Sequence, residues 1–370
     1  MASLKKLIIH PGFHKTGTTA LQQALSEVRA ELLEANFIYP HIAGNAHHRA
    51  ARSVIEKTWG WKNRGGRSAN PIEWKKLERK LRSDIATAII SSEFFSEADG
   101  IQLANLAKRL DGVDVQVIFT WRPLPFMLAS SYQQYLKYGL KKSYPEWLES
   151  IFELPGEAKF TPSFWKRNLQ GDVVARWAKT FGAENISLIA VDESKPTYLY
   201  ETFADLAGIP KSILGEPSNL EMNRSLTFTE ASLLLEINRT YPKDLDWDSY
   251  EIFIRKGNIK AITSSKIQDS SDEKILTPDW AIEKATELNS QNVAKIKSLG
   301  VKVVGDLDRS DFSKIPTGLN SPVKTISIET VARAMIGVDM SSLEKMHGKT
   351  ISKEFFFRLK KIIRRRLRLK

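Results

Sequence analysis

Short apolar runs bounded by polar residues and turn formers recur along the first 305 positions. Leu7–His10, Ala86–Ser91, Val113–Trp121, Ile186–Val191 and Lys302–Val304 read as strands buried on both faces. Between them apolar residues return every three or four positions. That spacing predicts helices over 18–34, 46–60, 71–84, 101–110, 123–139, 173–182, 196–207, 228–240 and 278–298. Strands that alternate with helices need a parallel sheet with helices on both faces, so the expected class is a three-layer α/β fold. A Ser-, Asp- and Lys-rich stretch over 263–275 predicts an exposed excursion. After Asp306 the strand pattern stops and Pro, Ser and Gly become frequent. We therefore expect an α/β domain over 1–305 and an appended segment over 306–370.

Composition leaves this reading intact and adds a charged tail. Hydrophobic residues make up 42% and charged residues 26% of the 370, ordinary values for a chain with a sizeable core. The longest apolar runs are far short of the ~20 residues that cross a bilayer, so no membrane span is predicted. The apolar stretch at the amino terminus is too short for a secretory leader. Cysteine is absent, which excludes disulfides, thiolate nucleophiles and Cys-bound metals and predicts a reducing cytosol. The formal net charge is +12, and 353–370 holds nine Lys or Arg against one acid, Glu354, leaving the body mildly basic. There Phe356, Leu359, Ile363 and Leu367 recur at helical spacing beside Arg358, Lys361, Arg365 and Arg368. Such a basic amphipathic helix fits an anionic surface, here the inner face of a membrane; a helix docked on the body or a solvated tail is the alternative. Nucleic acid is not indicated, because no recognised binding motif accompanies the tail.

The clearest chemical signal is Pro11-Gly12-Phe13-His14-Lys15-Thr16-Gly17-Thr18-Thr19-Ala20-Leu21, between the first strand and an apolar-periodic helix. Strand, Gly loop and helix start form an anion site: unpaired backbone N–H groups converge and the helix dipole adds roughly half a positive charge. A nucleoside-triphosphate loop needs Gly, four residues, Gly, Lys and Ser or Thr. Gly12, Gly17 and Thr19 satisfy part of this, but Thr18 stands where the lysine belongs and Lys15 lies inside the loop. From there a lysine meets a group leaving from a 5′-phosphate. At the end of the strand Val113–Trp121 stands Arg122, whose planar fork suits a phosphate, and Ser130 follows two helical turns later.

His14 to Leu21 resembles the 5′-phosphosulfate loop of the sulfotransferases, especially their carbohydrate and bacterial branches. Arg122 and Ser130 have the spacing of the pair that holds the 3′-phosphate in that family. Asn223-Arg224-Ser225 resembles the segment that closes over the nucleotide in its bacterial members. The resemblance covers about 1–305. It implies a fold like that of the P-loop NTPases, 3′-phosphoadenosine 5′-phosphosulfate (PAPS) as donor, 3′-phosphoadenosine 5′-phosphate (PAP) as product and no metal. It implies donor contacts from His14, Lys15, Thr16, Gly17, Thr18, Thr19, Arg122, Ser130 and Arg224. The acceptor implied is a carbohydrate or glycolipid hydroxyl, with an amine as the variant.

An attacking hydroxyl must lose its proton, so a general base is expected near the loop. Glu93 follows the strand Ala86–Ser91, at the edge where α/β sheets bind ligands, and carbohydrate-directed members of the family use a Glu in a similar place. His47 and His48 are the second candidates. Trp59, Trp61 and Trp74 fall in the stretch that would cover the acceptor, as stacking platforms or as packing. Tyr132, Tyr135 and Tyr138 read as a packing stripe, and Asp192-Glu193 carries no assigned role. His10 and His14 are four apart but straddle a strand and a turn, which is not metal-ligand spacing. Two readings stand against transfer of a sulfuryl group. A nucleotide kinase or hydrolase lacks its loop lysine and magnesium-holding Asp. A binding module built on the same fold has no need of Lys15, Glu93 and Arg122 together.

Overall fold

The computed structural model describes residues 4–42, 44–81, 86–153, 157–218, 224–264 and 273–342. Residues 265–272 of the expected excursion, Asn223 and the whole basic tail lie outside the described residues. Six parallel strands form one sheet: β1 (Lys6–His10), β2 (Phe37–Ile38), β3 (Thr87–Ser91), β4 (Asp114–Trp121), β5 (Ile186–Ala190) and β6 (Lys302–Val304). Their order is β2-β3-β1-β4-β5-β6. The expected strands are all present; β2, two residues long, is the addition.

Side chains alternate across the sheet as the pleat requires. Ile8, Ile89, Ile118 and Ile189 pack with Leu21, Leu25 and Phe203 of the helices Thr18–Glu27 and Tyr198–Ala207. Leu7, Ile9, Ile90, Val117, Phe119 and Leu188 face the opposite way, onto Leu103, Leu106, Val173 and Trp177 of Gly100–Arg109 and Gln170–Phe181. The result is the expected three-layer α/β architecture. From β1 the chain first builds outward to β2 and β3, then crosses to β4 on the other side. That reversal opens a crevice at the carboxyl ends of the central strands. The loop after β1, Glu93 after β3 and Arg122 after β4 all emerge there.

The periodicity places the helices well, and tertiary context trims them. The stretch 18–34 is two helices, Thr18–Glu27 and Arg29–Glu34; 46–60 shortens to His48–Val54; and 123–139 becomes a 3-10 turn followed by Leu128–Leu136. Helices at Tyr144–Phe152 and Ser163–Asn168, a π-helix at Glu251–Ile259 and a helix over 328–342 were not expected. Tyr144–Phe152 and Ser163–Asn168 join Leu128–Leu136 and Phe228–Thr240 in a separate aromatic-rich core around Trp147, Trp165 and Trp247. Trp59 and Trp61 pack there too, each against Trp247 and a tyrosine, and Trp74 is buried in the sheet core. The three tyrosines form the expected packing stripe: Tyr132 and Tyr135 against Trp147, Tyr138 against Trp247.

Residues 306–342 lie against this body. Leu307 enters the sheet core, and the backbone of Thr277 bonds to Pro316 and Gly318. Helix 328–342 meets the π-helix closely: Asn258 Nδ2 donates to the Ala334 carbonyl at 3.1 Å, and Gly337 sits where a Cβ would lie 2.6 Å from the Gly257 carbonyl oxygen. Among the described residues no helix is long and apolar enough to cross a membrane.

Candidate functional site

The loop between β1 and its helix has two glycines that its course demands. Gly12 has φ +52° and a Cβ there would lie 2.3 Å from the Thr18 side chain; Gly17 has φ +83° and would meet Leu199 at 2.9 Å. Both positions are closed to other residues on two counts, left-handed backbone and contact. Lys15 also has positive φ, +67°, a strained conformation for a residue with a long side chain. Gly17 ends the loop as a cap without a side chain, so no capping group competes for the first N–H groups of Thr18–Glu27.

The loop opens into a cavity of about 790 Å³ lined by His14, Lys15, Gly17, Thr18, Thr19 and Ala20 on one side. The rest of the lining is strongly cationic, with Lys137, Arg224, Arg255, Lys256 and Lys260. Among the described residues Glu93 is the one acid in the lining. Among the described residues Lys137, Lys256 and Lys260 make no ion pair, whereas Arg224 clasps Glu230 through both nitrogens at 2.6 and 2.7 Å. Arg255 is held by Glu251 and by the faces of Trp59, Tyr138 and Trp247. A wall of this sign next to a helix start suits a ligand with more than one anionic group.

Lys15 Nζ donates to Gln134 Oε1 at 3.1 Å. Burial lowers the affinity of this ammonium for its proton, Glu93 acts the other way, and Arg167 adds to the lowering. Burial, with the cations Lys15, Arg255 and Arg224 around it, brings Lys137 down to about 8. Burial alone would raise the Glu93 carboxyl. The neighbouring imidazoles of His48 and His14, a backbone hydrogen bond and the amide of Gln22 outweigh it and hold the group at about 2, a carboxylate at neutral pH.

The other histidine candidates separate cleanly. His48 stands at the rim, its Nδ1 2.9 Å from Ser92 Oγ and 3.6 Å from Glu93 Oε2. His47 is buried with both ring nitrogens engaged: Nδ1 accepts from the Ser91 amide at 3.0 Å, so Nε2 carries the hydrogen that goes to the Pro40 carbonyl at 2.8 Å. Burial takes it to about 4, and its place is to fix the end of β3. His14 packs edge-on to Phe94 and lies 3.3 Å from Glu97, which also binds Arg167 at 3.0 Å and Lys57. This half-buried cluster anchors the loop through His14.

Of the expected second-phosphate residues, Ser130 and Arg224 line the cavity, and Ser130 Oγ donates to the Met127 carbonyl at 3.1 Å. Arg122 does not line it; its guanidinium reaches Glu193 at 2.9 Å and lies over Phe126. Sequence reasoning missed Gln133, Gln134, Lys137, Arg255, Lys256, Lys260 and Thr263. Among the described residues no group of three or more His, Cys, Asp or Glu is placed to hold a metal ion.

No family model and no curated protein matches the sequence. Comparison of the fold with solved structures does return matches. A sulfotransferase from Alicyclobacillus acidocaldarius shares 16% identity over 64% of this chain and 93% of its own, at a TM-score of 0.42. A sulfotransferase domain from the curacin biosynthetic pathway shares 12% identity over 57% of this chain and 76% of its own, at a TM-score of 0.29. Neither likeness assigns a role to any residue of this chain.

Proposed function

We propose that the chain is a sulfotransferase that moves a sulfuryl group from PAPS to a hydroxyl of a carbohydrate or glycolipid. The observation that carries this reading is the pairing of Lys15 and Glu93 in one cavity, beside an uncapped helix start and among five further cationic side chains. The loop amides and Lys15 hold the 5′-phosphate. Ser130, Arg224, Arg255 and Lys256, which line the cavity, take the second phosphate; Arg122, outside that lining, is assigned no contact. The acceptor oxygen attacks sulfur in line, the bond from sulfur to the 5′-phosphate oxygen breaks, and that oxygen keeps the electron pair. Lys15 offsets the charge that grows there. Glu93 takes the acceptor proton. A dianionic group seated beside it opposes the imidazoles and raises its carboxyl toward a useful basicity. If the acceptor is a glycolipid, the basic residues 353–370 supply the attraction to an anionic surface.

Calorimetric titration tests the donor. PAP is expected to bind at micromolar Kd without metal, and ATP with magnesium to bind far more weakly. Tight binding of ATP with magnesium alone would transfer the chain to the kinases, and binding of neither would leave a non-catalytic module.

The wall adds a pH signature. A bound polyanion favours protonated Lys137, so affinity for PAP should fall as pH rises through about 8, where the free protein loses that charge. In Lys137→Met this part of the pH dependence should vanish. An unchanged slope in the variant would take Lys137 out of the binding wall.

A further inference from the structure

Behind the loop runs a row of buried polar side chains that the transfer step leaves unused. Thr16 Oγ1 lies 2.7 Å from the Phe13 carbonyl and 2.7 Å from Thr120 Oγ1. Thr120 Oγ1 is 3.3 Å from His10 Nε2, and His10 Nδ1 is 2.8 Å from Ser91 Oγ. Gln22 Nε2 reaches both Ser91 Oγ at 3.1 Å and Glu93 Oε2 at 3.3 Å. Thr16, Thr120, His10, Ser91 and Gln22 are each at most 4% exposed, so none of these groups can turn to water instead.

The ends of the row fix its direction. The Phe13 carbonyl can only accept, so the single hydroxyl hydrogen of Thr16 goes to it. Thr16 must then accept from Thr120, and Thr120 from a hydrogen on His10 Nε2. His10 Nδ1 is left bare to accept from the Ser91 hydroxyl, and Ser91 accepts from the Gln22 amide, whose second hydrogen meets Glu93. Each hydrogen of the row is used once, and Thr16 Oγ1 also accepts from the Phe13 N–H at 3.3 Å. The arrangement also agrees with the burial of His10, which lowers it to about 4 and keeps the ring uncharged. An amide nitrogen cannot pass a proton along such a row, so its role is mechanical.

We propose that this row is one directed hydrogen-bond chain that sets the position of Glu93 against the phosphate loop, with His10, as its Nε2–H tautomer, the central positioning residue. The chain links β1, β3, β4 and the first helix, so the base and the leaving-group site move as one body. This deepens the function proposed above and rests on it for the activity readouts alone.

Two experiments on the full-length protein test it. Nitrogen-15 spectra of the histidine rings should show His10 protonated at Nε2 and bare at Nδ1 from pH 6 to 8; an Nδ1–H or doubly protonated ring overturns the chain. That spectrum needs neither donor nor turnover, so it still reads the chain if PAP does not bind. The second is a cycle of Gln22→Met and Thr120→Val. Gln22→Met and Thr120→Val should each lower kcat about five- to tenfold, Gln22→Met with PAP affinity kept and Thr120→Val with weaker PAP binding as well, since its hydroxyl bonds to the loop residue Thr16. The double variant should lose no more kcat than the worse single variant, because either break frees Glu93 from the loop. Thr120→Ser, which keeps the hydroxyl, should restore wild-type values. Strictly multiplicative losses in the double variant, or failure of Thr120→Ser to rescue, reject the linkage.

Discussion

Lys15→Ala should reduce sulfuryl transfer by about 10²–10³, the usual cost of losing one preorganised donor at a site of growing charge. The basis is local. The Lys15 ammonium is half-buried at the mouth of the loop, bonded to the neutral Gln134, and lines the cavity in which Glu93 is the one acid among the described residues. Burial makes it a poorly solvated cation, so an oxygen gaining charge beside it is stabilised more than in water. PAP carries a complete phosphate charge before any reaction, so its binding should weaken less than turnover falls. Turnover and calorimetry on the same preparation separate the two, with a thermal melt to confirm that the fold is kept. Transfer at the wild-type rate would remove Lys15 from the chemistry.

Glu93→Gln keeps the shape of the side chain and removes its charge, and should cost about 10²–10⁴ in kcat. Affinity for PAP should hold or rise slightly, since a negative group of the cavity lining is gone. The pH profile carries the sharper mark. The free carboxyl sits at about 2 and is raised when the anionic donor lies beside it, so any acid limb from this group belongs to the bound complex. That limb should appear in kcat for the wild type and be missing in the variant. If Glu93→Gln turns over normally and His48→Asn does not, the base is the rim histidine, 3.6 Å away.

What could be read from the sequence was whatever is written locally. The phosphate loop is eleven consecutive residues whose glycines are forced by left-handed backbone and close contact, so spacing alone exposes it. Glu93 follows a strand, and the edge where it lies follows from parallel topology. The cationic wall has no such local mark. Lys137 ends one helix, Arg255 and Lys256 lie on a π-helix more than a hundred residues later, and only folding brings them into one cavity with Lys15. Of the π-helix only Ile254 and Ile259 are buried apolar side chains, too few to show a period in the sequence. Arg122 has a partner that spacing could not show: Glu193, 71 residues away, pairs with its guanidinium. His47 and His48 are adjacent in sequence, yet one is locked into backbone and the other stands at the rim.

The left-handed backbone of Lys15 makes the loop a point of conflict between heat resistance and activity. Glycine or asparagine would occupy φ +67° with less strain. A library selected only for survival of heating should therefore drift away from lysine at this position, and one selected for product should keep it. Stabilising programmes that score mutations by folding energy would discard the side chain that gives the loop its purpose.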